Sequence, residues 1–334
     1  MRKFWMLLLA GWAVAAGAAV ADEPVLEGVE RIWDAAPHNA FTDLVRWDDK
    51  FYCTFRASEA HVGGNGKIRI IVSSKGKNWK SAALLEEEGV DLRDPKLSVM
   101  PDGRLMALMG GSIYEGKELK GKQPRVAFSE DGETWTAPQR ILGEGDWLWR
   151  VTWHDGTAYG VSYGRAADNE SRGAKLVKSA DGVTWETISG MGTDAECNEA
   201  TLRFAEDGTC YALIRRDGGD KQGWIGQAAA PYTEWQWTPC GHRLGGPEFI
   251  MTPHGWWAGS RDYESSATTV LAALTPTTYE PVLVLPSGGD TSYPGMVWFD
   301  DELWMSYYSS HEEKTAIYLA RFSFTGDANG APSE

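Results

Sequence analysis

The stretch 199–216 begins with the carboxylate of Glu199 and ends with two arginines, Arg215 and Arg216. Its apolar pattern predicts two strands joined by a tight turn at 206–208, where Asp bonds its own backbone and Gly adopts a positive φ without strain. A hairpin of this kind brings its first and last residues together. The stretch therefore predicts that opposite charges from one hairpin enter one site, while Arg216 points to the other face of its strand.

The same turn recurs along the chain at regular spacing. Its equivalents begin at Asp49, Asp102, Asp155, Asp207, His254 and Asp301, at intervals of 53, 53, 52, 47 and 47 residues. A repeat of about 50 residues with a hairpin and further short strands is the size of a four-stranded propeller blade. Six turns predict an all-β fold, a six-bladed β-propeller with antiparallel blades. We expect the early strand at 25–33 to complete the last blade and close the ring.

The first 21 residues have the features of an export signal. Arg2 and Lys3 precede an apolar run, and the stretch ends in Ala19-Val20-Ala21, an A-x-A cleavage site. We therefore expect cleavage after Ala21, a secreted or periplasmic protein, and a mature chain, 22–334, that folds as a single propeller domain. No later segment approaches the ~20 apolar residues of a membrane span, so no membrane insertion is expected.

Composition narrows the classes of partner. The 334-residue chain has a formal net charge of −15, which argues against nucleic acid or an anionic membrane surface, because either requires a basic face. Seventeen tryptophans and 38 glycines favour short strands and tight turns. The four cysteines permit disulfides but are equally consistent with buried thiols, and they lack the spacing of metal ligands. We predict no metal and no cofactor.

Aligning the six repeats on the turn identifies positions that share one rim of the ring. Eight residues before each turn stand Phe41, Asp94, Trp147, Glu199, Gly246 and Tyr293, three of which can act as acid, base or nucleophile. Seven or eight residues after the turn stand Arg56, Arg215 and Arg261. Arginine binds carboxylates bidentately and stays charged, so this rim predicts a site for an acidic ligand. An aromatic wall with a cation, suited to sugar faces, is expected from Trp147, Trp149 and Arg150.

A second recurring turn follows the third strand of the first three repeats. It reads SSKGKNW at 73–79, SEDGETW at 129–135 and SADGVTW at 179–185. Asp131 and Asp181 are expected to bond the backbone of the turn while the tryptophan packs against the sheet. With these turns the sequence resembles the sialidase-like propellers, whose bacterial members carry such Asp-box turns on six blades. The resemblance implies a glycoside hydrolase of the exo-α-sialidase, or neuraminidase, type.

The candidate site residues extend this resemblance. In exo-sialidases a glutamate begins the innermost strand of a middle blade and an arginine ends the next strand sixteen residues on, as Glu199 and Arg215 do here. Arg261 resembles the family's third arginine, and Tyr293 resembles its nucleophilic tyrosine. The resemblance implies that Glu199 activates Tyr293 and that the arginines bind the carboxylate of sialic acid. A phenol suits this substrate because an anionic nucleophile would be repelled by that carboxylate.

The first repeat departs from the family's pattern at the position of the first arginine. That arginine normally opens the innermost strand of blade one, where this chain has Ala40-Phe41-Thr42. Arg56, from the neighbouring strand, and Arg93, in the sequence DLRDPK, are the two alternatives that could replace it geometrically.

The acid/base position also departs from the pattern. The family places an aspartate in the loop after the same strand, where this chain reads SEAHVGGNGK at 58–67. Glu59 and His61 occupy that loop, and either could protonate a leaving oxygen, as could Asp94 on the same rim. We slightly favour His61, because an unperturbed imidazole titrates close to neutral pH.

Three functions remain open from the sequence. The first is an exported, retaining exo-α-sialidase acting on sialylated glycans. The second is a hydrolase or lyase acting on another acidic sugar, such as a uronic acid, with Glu59, His61 or Asp94 as acid/base. The third is a non-catalytic glycan-binding propeller or an assembly scaffold. A titratable Tyr/Glu pair on the rim favours an enzyme over the third.

Overall fold

A computed structural model of the chain describes residues 22–63, 65–164, 173–193 and 196–326. Within these ranges the regular structure is entirely β, with twenty-four strands and no helix. The short runs of β-branched and aromatic residues between Gly- and Asp-rich turns favour this outcome. The predicted export signal, 1–21, lies outside the described residues.

The strands divide in chain order among six blades. The N-terminal strand is β1 (Pro24–Trp33), which belongs to the last blade. Blade one contains β2 (His38–Trp47), β3 (Lys50–Ser58), β4 (Lys67–Ser73) and β5 (Lys80–Leu85); blade two contains β6 (Asp91–Val99), β7 (Leu105–Glu115), β8 (Glu118–Ser129) and β9 (Gln139–Arg140); blade three contains β10 (Asp146–His154), β11 (Thr157–Gly164), β12 (Lys175–Ser179) and β13 (Glu186–Gly190). Blade four contains β14 (Cys197–Phe204), β15 (Cys210–Arg216), β16 (Trp224–Ala228) and β17 (Gln236–Pro239); blade five contains β18 (Glu248–Thr252), β19 (Gly255–Asp262), β20 (Thr268–Leu274) and β21 (Tyr279–Val284); blade six contains β22 (Thr291–Phe299), β23 (Glu302–Ser309), β24 (Ala316–Phe324) and β1.

Each blade is a four-stranded antiparallel sheet, and the six sheets form a six-bladed propeller, as predicted. The first strands of neighbouring blades contact one another around the axis. β1 pairs with β24, with Val25 opposite Ser323, so the N-terminal strand completes the last blade. This closure confirms the expectation for 25–33.

The hairpin from β14 to β15 forms as predicted. Phe204 pairs with Cys210 across the turn, and the Asp207 carboxylate accepts the Thr209 backbone N–H at 2.9 Å. Gly208 has φ of +81°, a conformation that only glycine adopts without strain.

Bulges interrupt the innermost strands at the rim where the site lies. The pairing register shifts between Ala40 and Asp43 in β2, between Arg93 and Lys96 in β6, and between Ser292 and Gly295 in β22. The first bulged residue has positive φ in each case: 63° for Phe41, 48° for Asp94 and 53° for Tyr293. These three residues are therefore structurally equivalent, as the alignment of the six repeats predicted. A bulge re-aims its side chain, here toward the axis.

The alignment was wrong for blade three, because the bulge there contains Trp149 and Arg150 rather than Trp147. Arg150 is buried beneath the rim, where it donates to Asp43 at 2.7 Å and to Glu248 at 2.9 Å. Arg203 donates to the other oxygen of Glu248 at 2.9 Å. The expected role of Arg150 in substrate binding does not fit these contacts, since its guanidinium links three blades inside the core.

The second recurring turn is a local hydrogen-bonded clip. Ser129 Oγ accepts the Gly132 N–H at 2.8 Å, and the Asp131 carboxylate accepts two backbone N–H groups, the shorter at 2.6 Å. These bonds lower the pKa of Asp131 to about 2. Trp135 donates to the Gly132 carbonyl at 3.2 Å. The copy at 179–185 repeats this pattern, while the copy with Lys75 retains the Trp79 bond to Gly76.

The glycine of each clip also packs against the preceding blade. A Cβ on Gly132, whose φ is +76°, would lie 2.5 Å from the Tyr52 ring in β3. We therefore predict that Gly132→Ala lowers the free energy of unfolding by at least about 2 kcal/mol, from backbone strain together with overpacking. Urea unfolding followed by tryptophan fluorescence measures this effect.

Gly208→Ala is the matched control for that experiment. Its φ of +81° is similar, but nothing lies within 4 Å of the added Cβ, so it measures the backbone strain alone. Equal losses in the two variants would show that the contact between blades contributes nothing.

Two further expectations concern cysteines and membrane insertion. All four cysteines lie within the described residues, are buried, and form no disulfide. In the part of the chain that the structure describes, no helix is long and apolar enough to cross a membrane.

Candidate functional site

A tyrosine, a glutamate and an arginine form a hydrogen-bonded triangle at the bulged rim. Tyr293 donates its O–H to Glu199 Oε1 at 2.7 Å. Arg215 Nη1 donates to the same carboxylate oxygen at 2.9 Å and to the Tyr293 hydroxyl at 3.3 Å. Tyr293 and Glu199 are only 8% and 7% exposed. The structure thus brings Tyr293 of blade six to the ends of the hairpin in blade four that carries Glu199 and Arg215.

Gly246 holds the other oxygen of the glutamate. Its backbone N–H donates to Glu199 Oε2 at 2.7 Å. Its φ is +62°, and a Cβ there would lie 2.5 Å from the Tyr293 ring. Glycine is therefore required at this position, both for its conformation and for the close approach of tyrosine and glutamate.

The phenol of Tyr293 is neutral at physiological pH. Burial raises the pKa of Tyr293 well above its usual value of 10, and the charge of Glu199 raises it further. Arg215 and Arg261 act in the opposite direction but do not cancel these effects. The tyrosine can therefore act as a nucleophile only if Glu199 accepts its proton as the new bond forms.

Arg261 lies on the other side of the tyrosine. Its guanidinium carbon is 5.5 Å from the centre of the Tyr293 ring. The Nε group donates to the Thr291 carbonyl at 2.7 Å, and Nη2 donates to the Tyr308 hydroxyl at 2.9 Å. These bonds fix the guanidinium beside the tyrosine, where it adds a second positive charge to the site.

Arg93 and Asp94 extend the cluster from blade two. Arg93 is 8% exposed and donates through Nη1 to the His61 carbonyl at 2.9 Å and to Asp91 at 3.3 Å. Asp94 as a whole residue is partly exposed, and its carboxyl has no hydrogen-bond partner among the described residues. Burial raises the pKa of Asp94 above its usual range, although the charges of Arg93 and Lys96 oppose the shift. Its charge also contributes to the raised pKa of Tyr293.

Arg56 does not lie in the cluster, contrary to the sequence prediction. It is fully buried, and its fork binds Asp91 through Nε at 2.7 Å and Nη2 at 3.0 Å. Its Nη1 donates to the Ala60 carbonyl at 2.7 Å. Arg56 therefore joins blades one and two beneath the rim, and its donors are not available to a ligand. Of the two replacements that the sequence offered for the family's first arginine, Arg93 is the one on the site.

Three aromatic rings pack around Tyr293. The centre of its ring is 5.1 Å from Phe41, 5.4 Å from Trp149 and 5.9 Å from Tyr308. The sequence predicted that Trp149 offers a face to a sugar. Trp149 is only 1% exposed, so it packs against the tyrosine instead.

The two acid/base candidates of the first loop have different surroundings. Glu59 is exposed. His61 is half exposed and contacts Asp290 through Nδ1, which lies 2.6 Å from Oδ2. Its ring packs edge-on against Phe41 at 5.2 Å, and Phe41 in turn packs against Tyr293 at 5.1 Å.

Sequence reasoning missed three polar residues at this rim: His38, Asp290 and Tyr308. Asp290 accepts the Tyr308 O–H at 2.8 Å and an Arg261 N–H at 3.3 Å, and it lies 3.1 Å from His38 Nε2. Their positions relative to the bulges are the sequence signal that could have identified two of them. His38 and Asp290 each stand three residues before the bulged residue of their strand.

No protein-family model matches the chain, and no curated protein is significantly similar to it. Solved structures resemble it at low identity. A protein of unknown function from Dyadobacter fermentans has a TM-score of 0.80 and 17% identity, over 90% of this chain and 99% of that one.

Two structures of glycoside hydrolases are also similar. The Trypanosoma rangeli sialidase in complex with 2,3-difluorosialic acid, described as a covalent intermediate, has a TM-score of 0.69 and 10% identity. The match covers 89% of this chain but only 59% of the sialidase. A mutant α-L-arabinofuranosidase from Fusarium graminearum, in complex with an iminosugar inhibitor, has a TM-score of 0.64 and 14% identity, over 85% of this chain and 93% of that one. At these identities the likeness shows the propeller fold alone.

Proposed function

We propose that the protein is a retaining exo-α-sialidase that releases terminal sialic acid from glycans. The observation that carries the proposal is the triangle of Tyr293, Glu199 and Arg215, in which a buried phenol donates to a carboxylate beside a guanidinium. The likeness of the fold to a sialidase and an arabinofuranosidase supports glycoside hydrolysis as the reaction class.

Three arginines suit the carboxylate of the substrate. Arg215, Arg261 and Arg93 surround the phenol, and Arg93 uses only Nη1 for its bonds to the described residues. The rest of its fork is available to bind a carboxylate bidentately. Guanidinium groups remain charged at any relevant pH, so they would hold the substrate anion against the tyrosine throughout turnover.

The proposed reaction has two steps. In the first, Tyr293 Oη bonds to the anomeric carbon, Glu199 takes the phenolic proton, and the glycosidic bond breaks as the leaving oxygen gains a proton from a general acid. In the second, the conjugate base of that acid takes a proton from water. The water oxygen bonds to the anomeric carbon, and Glu199 returns its proton to the departing tyrosine oxygen. Two displacements retain the anomeric configuration.

We assign the general acid to Asp94. It shares the bulge position of Tyr293, has a raised pKa, and has no hydrogen-bond partner among the described residues. A carboxylic acid whose pKa is raised by burial is better suited than an ordinary one to donate a proton to a leaving oxygen. This assignment replaces the slight preference for His61, whose Nδ1 is engaged with Asp290.

Asp94→Asn should therefore lower turnover of natural sialosides by about 10²-fold and that of aryl sialosides by less than about 10-fold, because an aryl leaving group needs little protonation. With natural substrates, wild-type activity should fall as pH rises through the raised pKa of Asp94, since only the protonated form donates. That alkaline decline should disappear in the variant. The same measurements on Glu59→Gln and His61→Ala are the controls. If Glu59→Gln or His61→Ala lost activity selectively on natural sialosides and Asp94→Asn did not, the assignment of Asp94 as the general acid would be contradicted.

A panel of fluorogenic substrates tests the function itself. We expect turnover of a 4-methylumbelliferyl α-sialoside and none of the corresponding β-glucuronide or α-arabinofuranoside. Binding of sialylated glycans without turnover of any sialoside would instead indicate the glycan-binding propeller. Activity in culture medium or periplasm would test the proposed export, which rests on 1–21.

One observation favours a second candidate, a hydrolase or lyase for uronic acids. Phe41 lies against Tyr293 at 5.1 Å, where the sialidase resemblance expects the first arginine. A sugar with its carboxylate away from the anomeric carbon would not need that arginine. Turnover of the glucuronide, or release of an unsaturated uronide, would favour this candidate over the sialidase.

A further inference from the structure

Three side chains on the rim take no part in the proposed reaction, although they lie together. His38 begins β2, His61 is in the loop after β3, and Asp290 precedes β22. Both imidazoles direct a nitrogen at one oxygen, because His61 Nδ1 and His38 Nε2 lie 2.6 Å and 3.1 Å from Asp290 Oδ2. The three potential ligand atoms all lie within 4.8 Å of one another.

The other oxygen of the aspartate is held in place. Asp290 Oδ1 accepts the Tyr308 O–H at 2.8 Å and an Arg261 N–H at 3.3 Å. Oδ2 is thus the oxygen presented to the two imidazoles. Outer hydrogen bonds of this kind orient carboxylates that bind a metal through a single oxygen.

Hydrogen bonds alone account for His38 incompletely. Its side chain is 10% exposed, and its Nδ1 is buried without a partner among the described residues. If Nε2 carries the proton, Nδ1 is a buried lone pair without a donor. If Nδ1 carries it, that N–H lacks an acceptor among the described residues and the Nε2 lone pair faces the carboxylate of Asp290. A cation between Nε2 and Oδ2 would turn this repulsion into attraction.

We propose that His38, His61 and Asp290 bind one divalent transition-metal ion. Two imidazole nitrogens and one carboxylate oxygen match zinc, with the fourth tetrahedral position open to water or to an oxygen of a bound ligand. Metal–ligand bonds of about 2.0–2.2 Å set neighbouring ligand atoms about 3.3 Å apart. Binding therefore requires His61, in its exposed loop, to withdraw from Asp290 Oδ2 by less than about 1 Å, and the two imidazole nitrogens, which are at most 4.8 Å apart, to approach each other. The nearby Arg261 charge opposes the ion, so we expect an affinity on the order of 1 μM.

Calorimetric titration of chelator-treated full-length protein with Zn²⁺ tests this proposal without reference to turnover. We expect one equivalent to bind to the wild type. His61→Ala, a change in an exposed loop, should weaken binding at least about 100-fold, because it removes one of three ligands. Tyr308→Phe, which removes an orienting bond to Asp290, should weaken it about 10-fold. A second readout is the visible absorption of bound Co²⁺, whose intensity reports tetrahedral geometry.

His154→Ala is the control, because His154 lies at the turn between β10 and β11, at the opposite end of the strand from the bulge. It should bind zinc as the wild type does. Failure of the wild type to bind zinc tighter than His61→Ala would overturn the proposal and leave the group as hydrogen bonds around Asp290. Stoichiometric binding unaffected by His61→Ala would overturn it too, by placing the ion elsewhere. Since these outcomes are read from binding, they are independent of whether the protein is a sialidase.

Discussion

Tyr293→Phe should reduce the turnover of α-sialosides by at least about 10³-fold while leaving the fold intact. The variant removes only the hydroxyl that donates to Glu199 at 2.7 Å. The ring contacts with Phe41 and Trp149 are kept. The loss should appear in the catalytic rate and not in the KM, since the carboxylate-binding arginines are unchanged. Steady-state kinetics with an aryl sialoside measures both.

Tyr308→Phe is the matched control for this prediction. It removes a buried phenolic hydroxyl from the same rim, one that donates to Asp290 at 2.8 Å and not to Glu199. A moderate effect is expected, through the orientation of Arg261, which donates to that hydroxyl at 2.9 Å. Equal losses in the two variants would contradict a special role for Tyr293.

Arg150→Met should lower the free energy of unfolding by about 3–5 kcal/mol, the cost of leaving buried carboxylates unpaired. Asp43 and Glu248, both buried, would each lose a hydrogen bond to a guanidinium. Urea or thermal unfolding measures the loss. A substrate-binding arginine would instead change the KM with little effect on stability.

The loss in Arg150→Met should also depend on pH. Burial already raises the pKa of Glu248 to about 7, with Arg150 opposing the shift. Because this pKa exceeds that of the unfolded chain, the protonated form favours folding, and stability falls as pH rises toward and through 7. Without Arg150 the pKa rises further, so the variant should be more destabilised at pH 8 than at pH 5.

Arg140→Met is the control, because Arg140 is 58% exposed and its ion pair with Glu87 is 3.5 Å long. An exposed pair contributes at most about 1 kcal/mol. Similar losses for Arg140→Met and Arg150→Met would contradict the structural role of Arg150.

The propeller was predictable from the sequence because its signal is repeated. Six hairpin turns, each followed by an apolar strand, predict six blades, and β1 was correctly expected to close the ring. The separation between Glu199 and Arg215 likewise predicted that the two side chains would meet.

What the sequence could not show is which charged groups bind one another. Arg56 has the spacing of the ligand-binding arginines and Arg150 adjoins two tryptophans, but Asp91 and Asp43 from other blades bind them in the core. Such partners are distant in sequence, and a bulge that shifts pairing by one residue turns a side chain to another face. The same reason hid Asp290, whose neighbours come from four separate strands and loops.

Reaction with 2,3-difluorosialic acid, followed by mass spectrometry of the digested protein, tests the proposed mechanism most directly. The fluoride at the anomeric carbon leaves readily, while the second fluorine slows hydrolysis of the product. We predict one covalent sialyl adduct on the peptide that contains Tyr293. The labelled enzyme should regain activity slowly in buffer. An adduct on another residue, or turnover of sialosides with no adduct and inversion of configuration, would contradict Tyr293 as the nucleophile.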